Sequence, residues 1–362
     1  MSSKKILITT GGTGGHVFPA YGLSKYLVRN GFSVELATDK RGYKFLSNYK
    51  DIKIKIITSA TIFRKNPIKF IFALVQITFA FISSIIHLIK TKPKITFGMG
   101  GYASFPICIA SKLMGIPFII YENNLHLGKT NKYLLPFSYK MFTAYSSLEG
   151  IENKYRFKVV NIGNIIREEI LNYENTFKPS KDEISILIIG GSQAAKIFAE
   201  KFPIVFKKCK EENINLKIFQ QCLSSQNNQL EEKYRSLKIN FKIFNFSHNL
   251  LEYFSKVDVA ITRSGSSMLA ELLNCKVPII SIPLPTSADN HQLKNAKFFE
   301  KKGYSFLIEE KNILENLFPL IKSIRKDKSL LDQIRKNQKS YSDKKVFDKI
   351  YDEIKEIVNE QY

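Results

Sequence analysis

Cysteine is scarce in this chain, and acidic residues are few compared with basic ones. The four cysteines, Cys108, Cys209, Cys222 and Cys275, have neither the close spacing nor the neighbouring histidines of a zinc site or a redox motif. A zinc centre and a disulfide framework are therefore not expected, and a reducing compartment fits. A strand-like segment begins within five residues of Met1 without a preceding apolar segment, so no secretory signal is expected.

The shortage of acidic residues makes the chain strongly basic. Its 362 residues contain 55 Lys and Arg against 32 Asp and Glu, a formal net charge of +23. Such a charge indicates an anionic partner or surface. Because the lysines are spread along the chain and no nucleic-acid-binding motif accompanies them, we expect no nucleic-acid partner, and a basic nucleic-acid-binding protein is a distant alternative.

An uninterrupted membrane-spanning run is also lacking, although one segment comes close. Residues 68–89 read IKFIFALVQITFAFISSIIHLI, with basic residues on both sides and Lys69, Gln76 and His87 among the interruptions. The segment lies between two strand-like runs, where an α/β domain needs a crossover helix. Three interpretations compete for this segment. The one we favour is a partly exposed helix that touches an anionic membrane surface; the second is a buried crossover helix, and the least favoured is a transmembrane span.

Apolar runs of strand length alternate with helical patterns along the whole chain. They form two series, separated by a polar stretch at residues 172–183. This alternation predicts the α/β class, with two Rossmann-like, doubly wound parallel sheets. Residues 1–165 would form the first domain and 166–345 the second, and the last helix, 346–362, would cross back to the first. We expect the ligands where the carboxyl ends of both sheets face each other across a cleft.

The first strand runs directly into a glycine-rich loop, GGTGGH at residues 11–16, before a helix expected at 19–30. Glycine N–H groups and a helix N-terminus together favour a phosphate or diphosphate. The loop is neither the dinucleotide fingerprint, since Val17 replaces its last glycine, nor a P-loop, since no Gly-Lys-Ser/Thr follows. His16 ends the loop and, with an unperturbed pKa of about 6.5, could accept a proton there. A purely structural turn is the alternative for the loop alone.

The second domain contains three further polar segments. The first, GGSQAA at residues 190–195, repeats the arrangement of a strand, glycines and a helix, so two phosphorylated ligands are expected. In the second, RSGSSMLAE at 263–271, backbone amides could hold a diphosphate, and Glu271 could accept hydrogen bonds from a ribose diol. The alternative for this segment is a capped helix on which Glu271 is solvated. The third, ADNHQ at 288–292 with Asn295, offers amide and imidazole groups suited to sugar hydroxyls.

The order and the amino-acid sequences of these motifs closely resemble those of one protein family. The motifs are GGTGGH at 11–16, GMGGY at 98–102, ENN at 122–124, TNK at 130–132, GN at 163–164 with Arg167, GGSQ at 190–193, RSG at 263–265 with Glu271, and HQ at 291–292 with Asn295. They resemble the MurG family, GT-B glycosyltransferases that transfer N-acetylglucosamine from UDP-N-acetylglucosamine to undecaprenyl-diphospho-N-acetylmuramoyl-pentapeptide (lipid I) in peptidoglycan synthesis. The resemblance covers roughly residues 4–300.

The resemblance implies the GT-B fold, with the acceptor lipid on the first domain and the sugar nucleotide on the second. It favours His16 as the general base for the muramoyl 4-hydroxyl, with Glu122 as the rival. The implied acceptor-binding residues are Thr13, Gly14, Gly15, Gly100, Gly101, Tyr102, Asn124 and Asn131. The implied donor-binding residues are Arg167, Ser192, Phe246, Arg263, Gly265, Glu271, His291 and Gln292.

The implied reaction is a single inverting displacement that gives the β(1→4) disaccharide, lipid II. It needs a base and a stabilised leaving diphosphate but no covalent nucleophile. No Asp-x-Asp pair is present to hold a metal diphosphate, so no metal or other cofactor is expected, and helix N-termini with Arg167 would supply the positive charge. Tyr121, where the family commonly has histidine, and Met268, where threonine is usual, are departures that remove neither proposed base.

The resemblance further implies a peripheral location on the cytoplasmic face of the bacterial inner membrane. It also implies roles in cell shape and cell division, with cell-wall synthesis and division proteins as partners. Two functions of the same fold class remain open as alternatives: another GT-B glycolipid glycosyltransferase, and a nonhydrolysing UDP-sugar 2-epimerase. The epimerase would not need residues 68–89 at a membrane.

Overall fold

The structure is a computed structural model that describes residues 4–12, 14–57, 67–180, 182–245, 247 and 249–359; the side chains of residues 67–74 and 191–195 are outside this description. The chain divides into two compact units. The first unit comprises Met1–Glu168 and Asp343–Tyr362, and the second comprises Glu169–Ser342. The predicted α/β class with two doubly wound parallel sheets is confirmed.

The described residues of the first unit form a seven-stranded parallel sheet in the order β3-β2-β1-β4-β5-β6-β7. Ile6, Leu7 and Ile8 in the inner strand β1 are fully buried, because helices cover both faces of a doubly wound sheet and its inner strands become continuous apolar runs. The strands are β1 (Lys5–Thr10), β2 (Ser33–Thr38), β3 (Lys53–Ile56), β4 (Ile95–Gly98), β5 (Phe118–Glu122), β6 (Lys140–Thr143) and β7 (Val159–Asn161).

The described residues of the second unit form a six-stranded parallel sheet in the order β10-β9-β8-β11-β12-β13. Phe198, Phe202 and Phe206 are fully buried in its core. They recur every four residues, so they share one face of their helix, and the first two rings stack with centroids 4.7 Å apart. The strands are β8 (Glu183–Ile189), β9 (Asn215–Gln221), β10 (Asn240–Phe244), β11 (Val259–Thr262), β12 (Ile279–Ser281) and β13 (Ser305–Leu307).

Helices connect these strands in both units. They are α1 (Gly14–Arg29), α2 (Lys40–Leu46), α3 (Pro67–Thr91), α4 (Ser104–Leu113), α5 (Lys129–Leu134), α6 (Glu168–Leu171), α7 (Gly191–Glu211), α8 (Asn227–Ser236), α9 (Leu251–Phe254), α10 (Ser266–Asn274), α11 (His291–Lys301), α12 (Ile313–Lys326), α13 (Ser329–Lys339) and α14 (Val346–Asn359). Short 3₁₀ turns lie at Asn153–Lys158, Ser224–Gln226, Ala288–Asn290 and Glu310–Asn312.

The last helix, α14, belongs to the first unit, as expected of a helix that crosses back. Its Phe347 stacks on Tyr26 of α1 with ring centroids 5.0 Å apart, and the Tyr26 hydroxyl donates to Asp348 at 2.6 Å. Lys140 at the start of β6 forms an ion pair with Glu353 at 2.6 Å. Aromatic stacking and paired charges therefore hold α14 against α1 and β6.

The crossover helix α3 is partly exposed, which confirms that part of the first expectation for residues 68–89. Ala80, Ser84 and Leu88 are buried, whereas Val75, Phe79, Ile82, Ile86 and Ile89 are 49–65% exposed. The exposed residues are spaced by four and three, so they form one apolar stripe along the helix. Among the helices in the described parts of the chain, none has the length and apolar character that crossing a bilayer requires.

Candidate functional site

Each sheet reverses its strand order at one position, and four of the sequence motifs follow the strands on either side of these two positions. The reversal lies between β1 and β4 in the first unit and between β8 and β11 in the second. In open parallel sheets, ligands bind beyond the carboxyl ends of the strands at such a position. Residues 11–16 and 99–102 follow β1 and β4, while residues 190–195 and 263–265 follow β8 and β11. Each unit therefore has its own candidate site.

The two glycine loops of the first unit pack backbone to backbone. Gly101 has a φ of +80°, and a Cβ atom there would lie 2.7 Å from the carbonyl oxygen of Gly11. Gly100 has a φ of +86°, and its Cβ would lie 3.3 Å from the Nδ1 and Cε1 atoms of His16. Only glycine combines this backbone conformation with so close an approach. The loops place the half-buried His16 imidazole directly against Gly100.

Helix α1 begins at Gly14, five residues before the predicted start, so the expectation of a helix at 19–30 is corrected. Pro19, which suggested a first helical position, lies inside the helix. Gly14, Gly15 and His16 therefore occupy the first turn, at the positive end of the helix dipole. Thr13, proposed for acceptor binding, lies outside the described residues. The expected anion site thus coincides with the start of a helix.

Two residues beside this loop, Asp39 and Arg41, were not predicted from the sequence. Asp39 follows β2 directly, is 3% exposed, and accepts a hydrogen bond from the Gly12 N–H at 3.3 Å. Arg41 Nη2 donates to the same carboxylate at 3.1 Å. The one available signal was an acid at the end of a strand adjacent to β1, and that pattern is also typical of an ordinary helix cap.

The carboxylate of Glu122 accepts four hydrogen bonds inside the first unit. Its Oε1 accepts from the N–H of Asn124 at 3.1 Å and from Asn124 Nδ2 at 3.0 Å. Its Oε2 accepts from the Gly128 N–H at 2.9 Å and from Asn131 Nδ2 at 2.9 Å. Glu122 is only 4% exposed. This arrangement orders the segment from β5 to α5, and Asn124 and Asn131, proposed for acceptor binding, are donors in it.

Tyr121, the residue that departs from the family pattern, ties β5 to the segment after β7. Its hydroxyl accepts from the Ile165 N–H at 3.0 Å and donates to the Gly163 carbonyl at 3.3 Å. Burial raises the pKa of this hydroxyl well above its ordinary value. Asp343 accepts from the Asn164 N–H at 2.9 Å. The half-buried Arg167, proposed as a donor ligand, follows this segment and falls in the first unit rather than the second.

In the second unit, the loop after β11 is open. Gly265 caps the N-terminus of α10 with a φ of −69° and a ψ of 132°, and a Cβ atom there would meet nothing within 4 Å. The half-buried Glu271 lies on the same helix. Phe246 lies outside the described residues, and Ser192 is described only as part of the backbone of α7.

Arg263, expected to shape the phosphate loop, has its side chain buried within the second unit. It is 8% exposed, and its Nη1 donates to the carbonyl oxygens of Ile282 at 3.2 Å and Pro283 at 3.1 Å. Its Nη2 forms an ion pair with Glu310, and the guanidinium lies over the Phe198 ring, 4.9 Å from its centroid. The Arg263 side chain therefore anchors the loop after β11 to the residues that follow β12.

The segment before α11 combines polar groups with a strained backbone. Asp289 and Asn290 have φ values of +49° and +57°, a left-handed conformation that is costly outside glycine and is often found at ligand sites. His291 Nδ1 donates to the Ala288 carbonyl at 2.7 Å, and Gln292 Oε1 accepts from the Leu284 N–H at 3.0 Å. The proposed sugar-reading residues His291 and Gln292 are thus fixed by local hydrogen bonds.

Asn295 links this segment to the loop after β11. It is 1% exposed, and its Nδ2 donates to the Ser264 carbonyl at 3.1 Å. The start of α11 is therefore held beside residues 263–265.

Among the described residues, no group of three or more His, Cys, Asp or Glu side chains is close enough to hold a metal ion.

Comparison with known proteins also finds two domains along the chain. The N-terminal domain of glycosyltransferase family 28 matches residues 6–143, and its C-terminal domain matches residues 185–351. A protein of Pelagibacter ubique named UDP-N-acetylglucosamine--N-acetylmuramyl-(pentapeptide) pyrophosphoryl-undecaprenol N-acetylglucosamine transferase is 35% identical over 99% of both chains. A Rickettsia felis protein of the same name is 33% identical over 92% of this chain and 94% of its own.

A solved structure extends the similarity to the fold. The crystal structure of MurG from Acinetobacter baumannii matches with a TM-score of 0.78 and 25% sequence identity, over 97% of this chain and 99% of that chain. The resemblance inferred from the motifs is confirmed by these relatives.

Proposed function

The chain belongs to glycosyltransferase family 28, and from that premise we propose that it transfers N-acetylglucosamine from UDP-N-acetylglucosamine to the 4-hydroxyl of lipid I. The product is the β(1→4) disaccharide lipid II of peptidoglycan synthesis. The observation that carries the proposal is the full-length relationship to transferases named for this reaction, at 35% and 33% identity. The two sites at the strand-order reversals support it, because the reaction joins two diphosphate-bearing substrates.

We assign the acceptor to the first unit and the donor to the second. The half-buried His16 against Gly100 provides a base in the first unit, and the exposed Tyr102 offers a contact for the acceptor at the end of the same loop. In the second unit, the open N-terminus of α10 suits a diphosphate, and Glu271 on that helix suits the ribose. His291 and Gln292 would read the transferred sugar.

His16 is the proposed general base. The 4-hydroxyl oxygen attacks the anomeric carbon of the donor, the bond from that carbon to the UDP oxygen breaks, and the hydroxyl proton passes to the imidazole. Glu122 is the weaker candidate, since four donors already surround its carboxylate and it is buried. The N-terminus of α10 would stabilise the leaving UDP.

A peripheral membrane contact through α3 is part of the proposal. The apolar stripe that includes Phe79, Ile82 and Ile86 is about half exposed, and Lys90, Lys92 and Lys94 follow at its end. An apolar face flanked by basic residues suits the surface of an anionic bilayer. We propose that the protein acts at the cytoplasmic face of the bacterial inner membrane, with cell-wall synthesis and division proteins as its partners in cell shape and division; the exposed apolar stripe supports the membrane contact alone.

The transfer reaction is tested with the purified full chain, UDP-N-acetylglucosamine and a short-chain lipid I analogue. We expect equimolar UDP and a β(1→4)-linked disaccharide lipid, detected by chromatography and NMR. Formation of UDP-N-acetylmannosamine instead would identify an epimerase. Transfer to other glycolipids but not to the muramoyl lipid would identify a different glycosyltransferase, and either result would overturn the proposal.

The membrane contact is tested by sedimentation with vesicles of anionic or zwitterionic phospholipid. We expect binding to anionic vesicles that high salt weakens and that Phe79→Ser reduces. Ile204→Ser is the matched control, because Ile204 is a half-exposed apolar residue of the second unit. Equal binding by wild type and Phe79→Ser would contradict a contact through α3.

A further inference from the structure

One face of helix α2 carries cationic and aromatic side chains beside the first glycine loop. Arg41, Lys44 and Phe45 are three and four residues apart and therefore share that face. The ring of Phe45 packs edge-on against Phe18 with centroids 5.8 Å apart. A Cβ atom at Gly14 would lie 3.1 Å from the Phe18 ring and 3.7 Å from the Phe45 ring. The first turn of α1 and this face of α2 thus border one surface.

A single carboxylate joins Arg41 to the glycine loop. Asp39 Oδ1 accepts from the N–H groups of Gly12 at 3.3 Å and Gly42 at 2.8 Å. Asp39 Oδ2 accepts from Arg41 Nε at 3.3 Å and Nη2 at 3.1 Å. Asp39 is buried, whereas the Arg41 side chain is 62% exposed. The guanidinium is therefore held in place at the loop while much of it faces solvent.

The charges favour an anion despite the carboxylate. Asp39 alone would repel a phosphate, but Lys40, Arg41 and Lys44 of α2 outnumber it. Arginine has five N–H donors in a planar fork that matches phosphate oxygens. Two of them are directed at Asp39, and the others have no partner among the described residues. Asp39 thus orients a guanidinium fork of the kind that binds phosphate.

We propose that Arg41, oriented by Asp39, binds the diphosphate of the prenyl-diphosphate acceptor, with the Phe18 and Phe45 rings against the first prenyl units. The inference rests on the proposed function, since it identifies the part of the acceptor bound at that site. It also changes the expected role of the loop, because the Gly12 N–H is committed to Asp39. The loop amides alone would then not hold the diphosphate; a side-chain cation completes the site.

Binding can be measured without turnover by calorimetry of the full chain with geranyl diphosphate and with geranyl monophosphate. We expect the wild type to bind the diphosphate more tightly. Arg41→Gln should weaken diphosphate binding about tenfold or more, as expected for lost charge-assisted hydrogen bonds. The diphosphate affinity of Arg41→Lys should lie between those of the wild type and Arg41→Gln. Arg156→Gln is the matched control, since Arg156 is an exposed arginine of the first unit that hydrogen-bonds Asn153, and it should bind as the wild type does.

Kinetics with a short-chain lipid I analogue provide the second readout. Arg41→Gln should raise the acceptor KM at least tenfold, with the UDP-N-acetylglucosamine KM unchanged. Asp39→Asn should raise the acceptor KM as well, because the fork loses its orientation, and kcat should change less than KM. If Arg41 only supported Asp39 as the N-cap of α2, its substitution would instead change the melting temperature and leave the acceptor KM unchanged.

The outcomes separate this inference from the proposed function. Equal geranyl diphosphate affinity in wild type and Arg41→Gln would overturn the inference, even if the disaccharide is formed. Absence of disaccharide product together with Arg41-dependent diphosphate binding would overturn the proposed reaction and support the diphosphate site. Failure of the wild type to bind the diphosphate would overturn the inference.

Discussion

The two units have the same sheet topology but build the site at the strand-order reversal differently. Both sheets place their first strand beside their fourth, with the second and third strands on the other side. In the first unit, side chains converge on the glycine loop: the His16 ring lies against Gly100, and Asp39 holds both Gly12 and Arg41. In the second unit, the space around Gly265 is open, and Arg263 is committed to carbonyl groups and Glu310.

This difference shows what topology determines and what it does not. The reversal of strand order determines where a ligand binds, since two connections leave in opposite directions and open a space between them. The side chains determine the chemistry. A loop lined by an imidazole and a guanidinium suits a reacting acceptor, whereas a helix N-terminus with open space suits a leaving diphosphate. Substitutions in the first unit should therefore change kcat or the acceptor KM, and substitutions in the second unit should change the affinity for the donor.

The largest expected effect tests the base in the first unit. His16→Ala should lower kcat about 10²–10⁴-fold, because the proton acceptor is lost, while the affinity for UDP-N-acetylglucosamine, measured by calorimetry, stays near that of the wild type. Glu122→Gln should instead lower the free energy of unfolding by about 1–3 kcal/mol, because an amide would oppose donors that now point at a carboxylate. A wild-type kcat in His16→Ala together with a lost kcat in Glu122→Gln would reverse the assignment.

The second prediction compares the glycines of the two units. Gly101→Ser should lower the free energy of unfolding by about 2–4 kcal/mol. The φ of residue 101 is +80°, and the added Cβ atom would lie only 2.7 Å from the carbonyl oxygen of Gly11. Gly265→Ser should change it by less than about 1 kcal/mol, since φ is −69°, the space is open, and serine is a good N-cap. Chemical denaturation measures both. Similar losses in the two variants would show that the loops are equally crowded.

The third prediction concerns donor affinity in the second unit. Glu271→Ala should weaken UDP-N-acetylglucosamine binding by about 1–3 kcal/mol, through the loss of a hydrogen bond to the ribose, and the acceptor KM should not change. Glu300→Ala, on the exposed side of the neighbouring helix α11, is the control and should bind normally. Unchanged donor affinity in a folded Glu271→Ala protein would exclude the ribose role.

Much of the fold could be predicted from the sequence because buried parallel strands are continuous apolar runs. The strand expected directly before the glycine-rich loop at 11–16, for example, is β1, at Lys5–Thr10. The start of α1 could not be predicted, because Gly14 and Gly15 are poor helix formers and Pro19 is favoured at a first helical position. Tertiary contacts overrode that preference: the loop of Gly100 and Gly101 packs against this part of the chain.

The candidate site was predictable where motifs are local and not where partners are distant in sequence. The choice between His16 and Glu122 stayed open because the sequence does not show that Asn124, Gly128 and Asn131 all donate to Glu122. The bond from Gly12 to Asp39 joins residues 27 positions apart. An aspartate after a strand and before a helix predicts only a cap. The contact between Gly12 and Asp39 exists because β1 and β2 are neighbours in the sheet.

The smallest expected effect involves His87, which lies away from both sites. It tests whether the stability of the first unit depends on pH. His87 on α3 lies 3.4 Å from the buried Glu35 carboxylate of β2, and Lys5 and Lys53 lie 3.4 Å from the same carboxylate. Burial lowers the pKa of His87; Glu35 opposes this shift, and Lys55, Lys53 and Lys5 add to it.

A lowered pKa means that the unfolded chain binds the proton more readily than the folded chain does, so protonation of His87 favours unfolding. The free energy of unfolding should therefore fall as pH decreases through the ordinary histidine value of about 6.5. His87→Asn should flatten this part of the curve, measured by denaturation at a series of pH values from about 7.5 to about 5.5. The difference between the two curves isolates the contribution of His87 from that of other titrating groups. Parallel curves for wild type and His87→Asn would show that the contact between α3 and β2 is insensitive to this proton, and the comparison between the units would then rest on their two sites alone.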